Sequence, residues 1–262
     1  MSTGQYVKVN GLDLYYEVHG SGKPVVLLHG GLGGIGMFTG QLLPLSERYE
    51  VIAVELEGHG HTALRGRPLS FERMADDIAA LVLHLGLERA DLVGYSLGGS
   101  VALQTASRHP ERVRKLALVS AAYKSDGWYP EIRAGMNAMN AEVAKSMVGS
   151  PMQVAYASVA PRPDDWPALV TRLGRLVGQE YDWTDAVRAL KARTLLVFGD
   201  ADSIRPAHAV AFFELLGGGQ KDAGWDGSGM PASRLAILPA TTHYNSFDSP
   251  MLTPIITSFL DA

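Results

Sequence analysis

A chain of 262 residues with 47% apolar side chains is long enough for one large α/β domain with a full core. Its net charge of −4 and isoelectric point near 6.1 lack the basic footprint of a nucleic-acid binder, and with no cysteine there is no disulfide, thiol nucleophile or thiolate metal site. The opening stretch MSTGQYVKVNG has neither a basic nor an apolar leader region, and no uncharged apolar run reaches membrane-spanning length, so a cytoplasmic protein without membrane or nucleic-acid partners is expected.

Residues 5–20 form two β-like runs around Asn10-Gly11, a hairpin signal. Pro24 to Leu28 is a short continuous apolar run, as expected for a strand buried on both faces. It leads into His29-Gly30-Gly31-Leu32-Gly33-Gly34-Ile35-Gly36. Gly31, Gly33 and Gly36 match the spacing of a dinucleotide-binding fingerprint, with Glu55 at the end of the next apolar run, YEVIAVE. Gly40 and Pro44 count against the uninterrupted helix that a pyrophosphate requires, and no tyrosine has a lysine four residues later. The competing reading is that Gly30 and Gly31 keep a loop backbone bare so that an N–H can face a nucleophile.

Leu56 to Thr62 is a glycine-rich loop whose His59 and His61, with His29, raise the possibility of metal binding; no further ligand falls at helical spacing, so a pocket-lining or structural loop and no metal are expected. Ser70 is placed to cap a helix over 71–86, with Phe71, Met74, Ile78, Leu81 and Leu85 on one stripe.

Residues 91–109 then read as a strand, a sharp turn and a helix. Gly94-Tyr95-Ser96-Leu97-Gly98 holds a serine at the tip of the turn, where glycine neighbours let strand and helix backbones approach and helix-start N–H groups point at any anion forming there. Pro110 limits this helix, the basic stretch Arg108 to Lys115 reads as a solvated helix end, and Lys115 to Ser120 is another buried strand.

From 122 to 190 the β–α rhythm stops. Trp128, Trp166 and Trp183 lie here, Ile132, Met136, Met139, Val143 and Met147 read as one helix face, and four prolines break the rest into short pieces. As an excursion between core strands this segment is expected to be a lid roofing an apolar pocket, with Tyr95, Trp128, Met136, Met139 and Trp183 as candidate substrate-binding residues. The rhythm resumes at Arg193 to Phe198, followed by Asp200, Asp202 and a helix from Pro206 to about Leu216. Residues 217–233 are a glycine-rich loop, Leu235 to Leu238 the last strand, His243 follows it, and a helix closes the chain within 250–261.

Serine is a poor nucleophile without a base, and histidine as base needs a third group to hold its ring. Here an acid follows one buried strand and a histidine the next, giving Ser96, Asp202, His243 in chain order, with Asp200 the alternative acid. In these features the sequence resembles the α/β-hydrolase superfamily over nearly its whole length. His29-Gly30-Gly31 is similar to its oxyanion loop, Gly58-His59-Gly60 to the loop after its fourth strand, and Gly94 to Gly98 to its nucleophile elbow.

The resemblance implies an eight-stranded, mostly parallel sheet flanked by helices, with 1–121 and 191–262 as the core and 122–190 as an inserted, mainly helical lid. It also implies Ser96, Asp202 and His243 as catalytic residues, the N–H groups of Gly31 and Leu97 as the oxyanion hole, no cofactor, and a small-molecule acyl substrate and water as partners. Glu55 and Glu57 depart from the family, where many members have Asp and Arg, and 217–233 is longer than usual. The expected chemistry is cleavage of an ester, lactone or thioester. C–C hydrolysis, perhydrolysis, acyl transfer and a non-catalytic receptor remain alternatives, while Ser96 argues against halide displacement and epoxide opening.

Overall fold

A computed structural model describes residues 4–262; Met1 to Thr3, part of the stretch read for a leader, lie outside it. Eight strands form one sheet: β1 (Gln5–Val9), β2 (Leu12–His19), β3 (Lys23–Leu28), β4 (Tyr49–Glu55), β5 (Ala90–Tyr95), β6 (Val113–Val119), β7 (Arg193–Ala201) and β8 (Arg234–Thr242). Their order is β1-β2-β4-β3-β5-β6-β7-β8; β2 pairs antiparallel with β1 and β4, and all other pairings are parallel. The Asn10-Gly11 hairpin forms with both residues at positive φ.

The helices are α1 (Thr39–Ser46), α2 (Phe71–His84), α3 (Leu97–Arg108), α4 (Pro130–Ala138), α5 (Ala141–Ser146), α6 (Pro151–Val159), α7 (Trp166–Gly178), α8 (Thr184–Arg188), α9 (Pro206–Leu215) and α10 (Leu252–Asp261). Alternate residues of the parallel strands face opposite layers, as a pleated backbone requires. Val26 and Leu28 of β3 join α2 and α3 in one core, while Val25 and Leu27 join α1 and α10 in the other. Because both faces are covered, these strands read as continuous apolar runs rather than alternating ones.

The Ser70 hydroxyl accepts from the N–H of Arg73, as expected for the cap of α2. That helix stops at His84, two residues early, because Gly86 takes a positive φ and the Leu87 N–H bonds back to Val82. The glycine segment after β3 leads into a 3₁₀ turn at Ile35–Phe38 and not directly into a long helix; α1 follows and holds Pro44 inside.

The single apolar face expected over 132–147 is divided between two helices. Met139 is extended, and the Asn140 side chain caps α5 by accepting from the N–H groups of Glu142 and Val143, so Ile132 and Met136 lie on one helix and Val143 on the next. Residues 217–233 form turns without helix or strand. Among the described residues no helix is long and apolar enough to cross a membrane.

Candidate active site

The C-terminal ends of β5, β7 and β8 carry the three side chains singled out in the sequence. Ser96 follows β5 directly at φ 52° and ψ −114°, a conformation that non-glycine residues seldom adopt, and α3 begins at the next residue. The turn is possible because its neighbours are bare. A Cβ on Gly94 would lie 2.3 Å from the Gly98 carbonyl oxygen, and one on Gly98 only 2.2 Å from that of Leu28.

The Ser96 hydroxyl donates to His243 Nε2 over 3.0 Å, and His243 Nδ1 donates to Asp202 Oδ1 over 2.9 Å. Asp202 is buried and also accepts from the Ser120 hydroxyl at 2.6 Å and from the N–H groups of Gly199 and Ile204 at 3.2 Å each. Burial by itself would raise its pKa, but the hydrogen bonds and charge of His243, with those from Ser120 and Gly199, outweigh burial and hold the carboxyl below its usual range. The carboxylate thus fixes the ring with Nε2 free to accept a proton.

Gly31 and Leu97 lie beside Ser96, and no protein acceptor engages the N–H of either among the described residues. The first N–H groups of a helix have no intrahelical partner, so that of Leu97 is available to an anion. His29 pins the Gly31 loop: its Nδ1–H donates to the Gly30 carbonyl at 2.7 Å and its Nε2 accepts from the Leu56 N–H at 3.1 Å. Burial, helped by nearby His59, pushes the His29 pKa down to about 3, so the ring is a neutral strut. His59 is likewise buried, with Nδ1 on the Glu57 carbonyl. His61 bonds Glu55, and Glu57 pairs with Arg67 at 2.9 Å, which accounts for both acidic departures in this loop.

Ser96 and His243 open onto a cavity of about 320 Å³ walled by Phe71, Trp128, Met136, Met139, Leu173 and Tyr181. An apolar wall around a few convergent polar atoms is the usual character of a small-molecule site.

A family model described as the alpha/beta hydrolase fold matches residues 23–147. A pimeloyl-[acyl-carrier protein] methyl ester esterase of Aeromonas hydrophila is 30% identical over 250 residues, covering 87% of this chain and 91% of the relative. The chain belongs to the α/β-hydrolase fold family. A protein of Azorhizobium caulinodans whose name assigns it provisionally to carbamate hydrolysis is 37% identical over 116 residues, so this α/β-hydrolase spans less than half (44%) of that relative. In fold, it superimposes on a meta-cleavage product hydrolase of Pseudomonas fluorescens with a TM-score of 0.77 at 20% identity, covering 98% of this chain and 97% of that one.

Two residues of the α/β-hydrolase expected in the pocket are elsewhere. Tyr95 points to the opposite face of the sheet, where its hydroxyl donates to the His243 carbonyl at 2.7 Å; with Ser96 at the turn, the preceding residue of the pleat faces away. Trp183 stands one layer behind the wall, stacked on Tyr181 with centroids 4.4 Å apart and edge-on to Phe71. The alternative acid Asp200 is turned outward and accepts from the N–H groups of Ala240 and Thr241 at 3.0 Å each, tying β7 to β8.

Sequence reasoning passed over Ser120. It is buried at φ 51° just past β6, and its hydroxyl also lies 3.3 Å from that of Ser246, which donates to the His243 carbonyl. The available signal was positional: β6 runs between β5 and β7, so the residue that follows it sits between Ser96 and Asp202.

Proposed function

We propose that this α/β-hydrolase is a serine hydrolase that cleaves a carboxylic ester, lactone or thioester of a small to medium, partly apolar molecule. The observation that carries the reading is the unbroken chain Ser96–His243–Asp202, with links of 3.0 and 2.9 Å, ending at the apolar cavity. Ser96 attacks the acyl carbonyl while His243 Nε2 takes its proton, and Asp202 stabilises the imidazolium. The N–H groups of Leu97 and Gly31 receive the oxyanion, each such donor being worth on the order of 10²–10³ in rate. His243 returns the proton to the leaving group, and a water activated by the same ring releases the acid from Ser96. The inserted segment 122–190, with helices α4 to α8, acts as the lid: α4 supplies Met136 to the acyl pocket and the stretches flanking it supply Trp128 and Met139.

The family and two of its named relatives support the reading: a carbamate and a methyl ester each present a carbonyl carbon that a serine hydroxyl can attack. Hydrolysis of p-nitrophenyl esters graded from short to long acyl chains, comparing wild type with Ser96→Ala, tests it. Turnover is expected to fall by roughly 10⁶ in the variant, the loss seen when the nucleophile of a comparable triad is removed. A wild type no faster than Ser96→Ala on every ester rejects simple ester hydrolysis and moves the search to C–C cleavage or acyl transfer.

A further inference from the structure

A second cavity, of about 620 Å³, lies on the other side of the oxyanion loop, and Gly31 and Leu32 line both. Its floor is the side-chain-poor run Gly33 to Met37, and its roof is the α6 face carrying Met152, Ala155 and Val159. Met152 and Val159 are large apolar side chains left 47% and 38% exposed, although their helix belongs to the segment packed over the sheet. Apolar surface retained on the wall of a concave site implies an apolar occupant.

The titratable groups nearest the loop in this cavity are Glu17, Glu55 and His61; the hydroxyls of Tyr156 and Ser158 also line it but are spent on the carbonyls of Arg162 and Ala155. The buried Glu55 carboxylate accepts from His61 Nδ1 at 2.9 Å and from the backbone N–H groups of Ile35 and His61. Glu17, partly exposed, holds the Tyr15 hydroxyl and His19 Nε2 at 3.0 and 2.9 Å. Among the described residues no lysine or arginine lines either cavity, and the first carries a further carboxylate, Glu131. The carboxylates therefore make this side of the site rich in acceptors, with no lysine or arginine to offset them.

We propose that the two cavities are the two arms of one substrate site, the second taking a leaving group with an apolar body and a cationic or hydrogen-bond-donating tip, such as an amino alcohol. The proposal rests on the serine-hydrolase reading, since it places the scissile carbonyl at Ser96 with its oxygen at Gly31 and the alcohol arm beyond Leu32. An anionic alcohol arm would meet Glu17 and Glu55 at short range, and like charges across a partly buried site are strongly disfavoured.

Three butyrate esters differing in the alcohol test it: 2-(dimethylamino)ethyl, its neutral isostere 3-methylbutyl, and carboxyethyl. The amine ester is expected to exceed the carboxylate ester in kcat/KM by about 100-fold, and Glu17→Gln to shrink that ratio by about tenfold. Gly36 also lines the second cavity, and a Cβ built on it meets nothing within 4 Å. Gly36→Leu should therefore lower kcat/KM for the two bulky neutral and cationic esters relative to ethyl butyrate by about tenfold. Equal or better turnover of the carboxylate ester, or ratios unmoved by both variants, overturns the proposal. If no ester is turned over, calorimetric titration of Ser96→Ala with 2-(dimethylamino)ethanol and with 3-hydroxypropionate decides separately. Saturable binding of the amine alone, weakened in Ser96→Ala/Glu17→Gln, upholds the cavity while the hydrolase reading falls; no amine binding, or equal binding of the acid, rejects the cavity assignment as well.

Discussion

The Ser120 hydroxyl donates at 2.6 Å to Asp202 Oδ2, the carboxylate oxygen that His243 leaves free. One oxygen is thus turned to the imidazole and the other is anchored to the end of the neighbouring strand. Such a bond restrains rotation of the carboxylate about its side chain and stabilises the charged form. In Ser120→Ala, kcat should fall about tenfold with KM little changed, the loss of one hydrogen bond to a charged group. The Asp202 carboxyl should rise toward its usual range, so that acidification breaks its contact with His243 at a higher pH than in wild type. A pH–rate profile identical to wild type would leave Ser120 only a packing role.

Asp200 and Asp202 are two residues apart, yet their substitution should differ sharply. Asp202→Asn disrupts the contact that orients His243 and is expected to lower kcat by about 10⁴. Asp200→Asn weakens two charge-assisted bonds to the β8 backbone at an exposed site and should lower stability only slightly, with kcat within a few-fold of wild type. Ester kinetics and urea unfolding on both variants check the pair, and loss of turnover in Asp200→Asn alone would reverse the assignment.

Glycine substitutions report on where the backbone is crowded. Gly98→Ala places a methyl 2.2 Å from the Leu28 oxygen, so either strand or helix must move; a loss above about 3 kcal/mol is expected. In Gly40→Ala the added Cβ meets nothing within 4 Å and the residue is in the first turn of α1, so stability should rise by about 0.5–1 kcal/mol. Urea midpoints measured side by side test both signs.

Acid should weaken the fold well before most of its carboxylates protonate. Burial lowers the pKa of His29 to about 3 and those of His59 and His208 to about 4. In the unfolded chain each takes a proton near pH 6.5 that the folded state refuses until pH 3–4, so stability is lost as pH falls through that window, by up to about 1.4 kcal/mol per pH unit per histidine. Buried Asp77, raised to about 6, acts oppositely and cancels about one of the three between pH 6 and 4. Urea unfolding at pH 7, 6 and 5 should show this decline, and His208→Gln should reduce its slope by about half. A flat profile from pH 7 to 5 would refute the account.

The strands, the elbow and the order of the three converging side chains were legible in the chain because each depends on near neighbours. Continuous apolar runs such as PVVLL mark strands covered on both faces, Asn10-Gly11 suits a hairpin of positive φ, and Gly94 and Gly98 leave space only a bare backbone fills. Which aspartate meets His243, that Tyr95 turns away from the cavity, that Trp183 stands behind Tyr181, and that Ser120 holds Asp202 were decided by the tertiary structure. These depend on which residues the parallel register brings side by side: Ser120 and Asp202, 82 positions apart in the chain, become neighbours because β6 and β7 pair and end at the same edge of the sheet. Periodicity tells that a side chain is covered; only the packed elements determine what covers it.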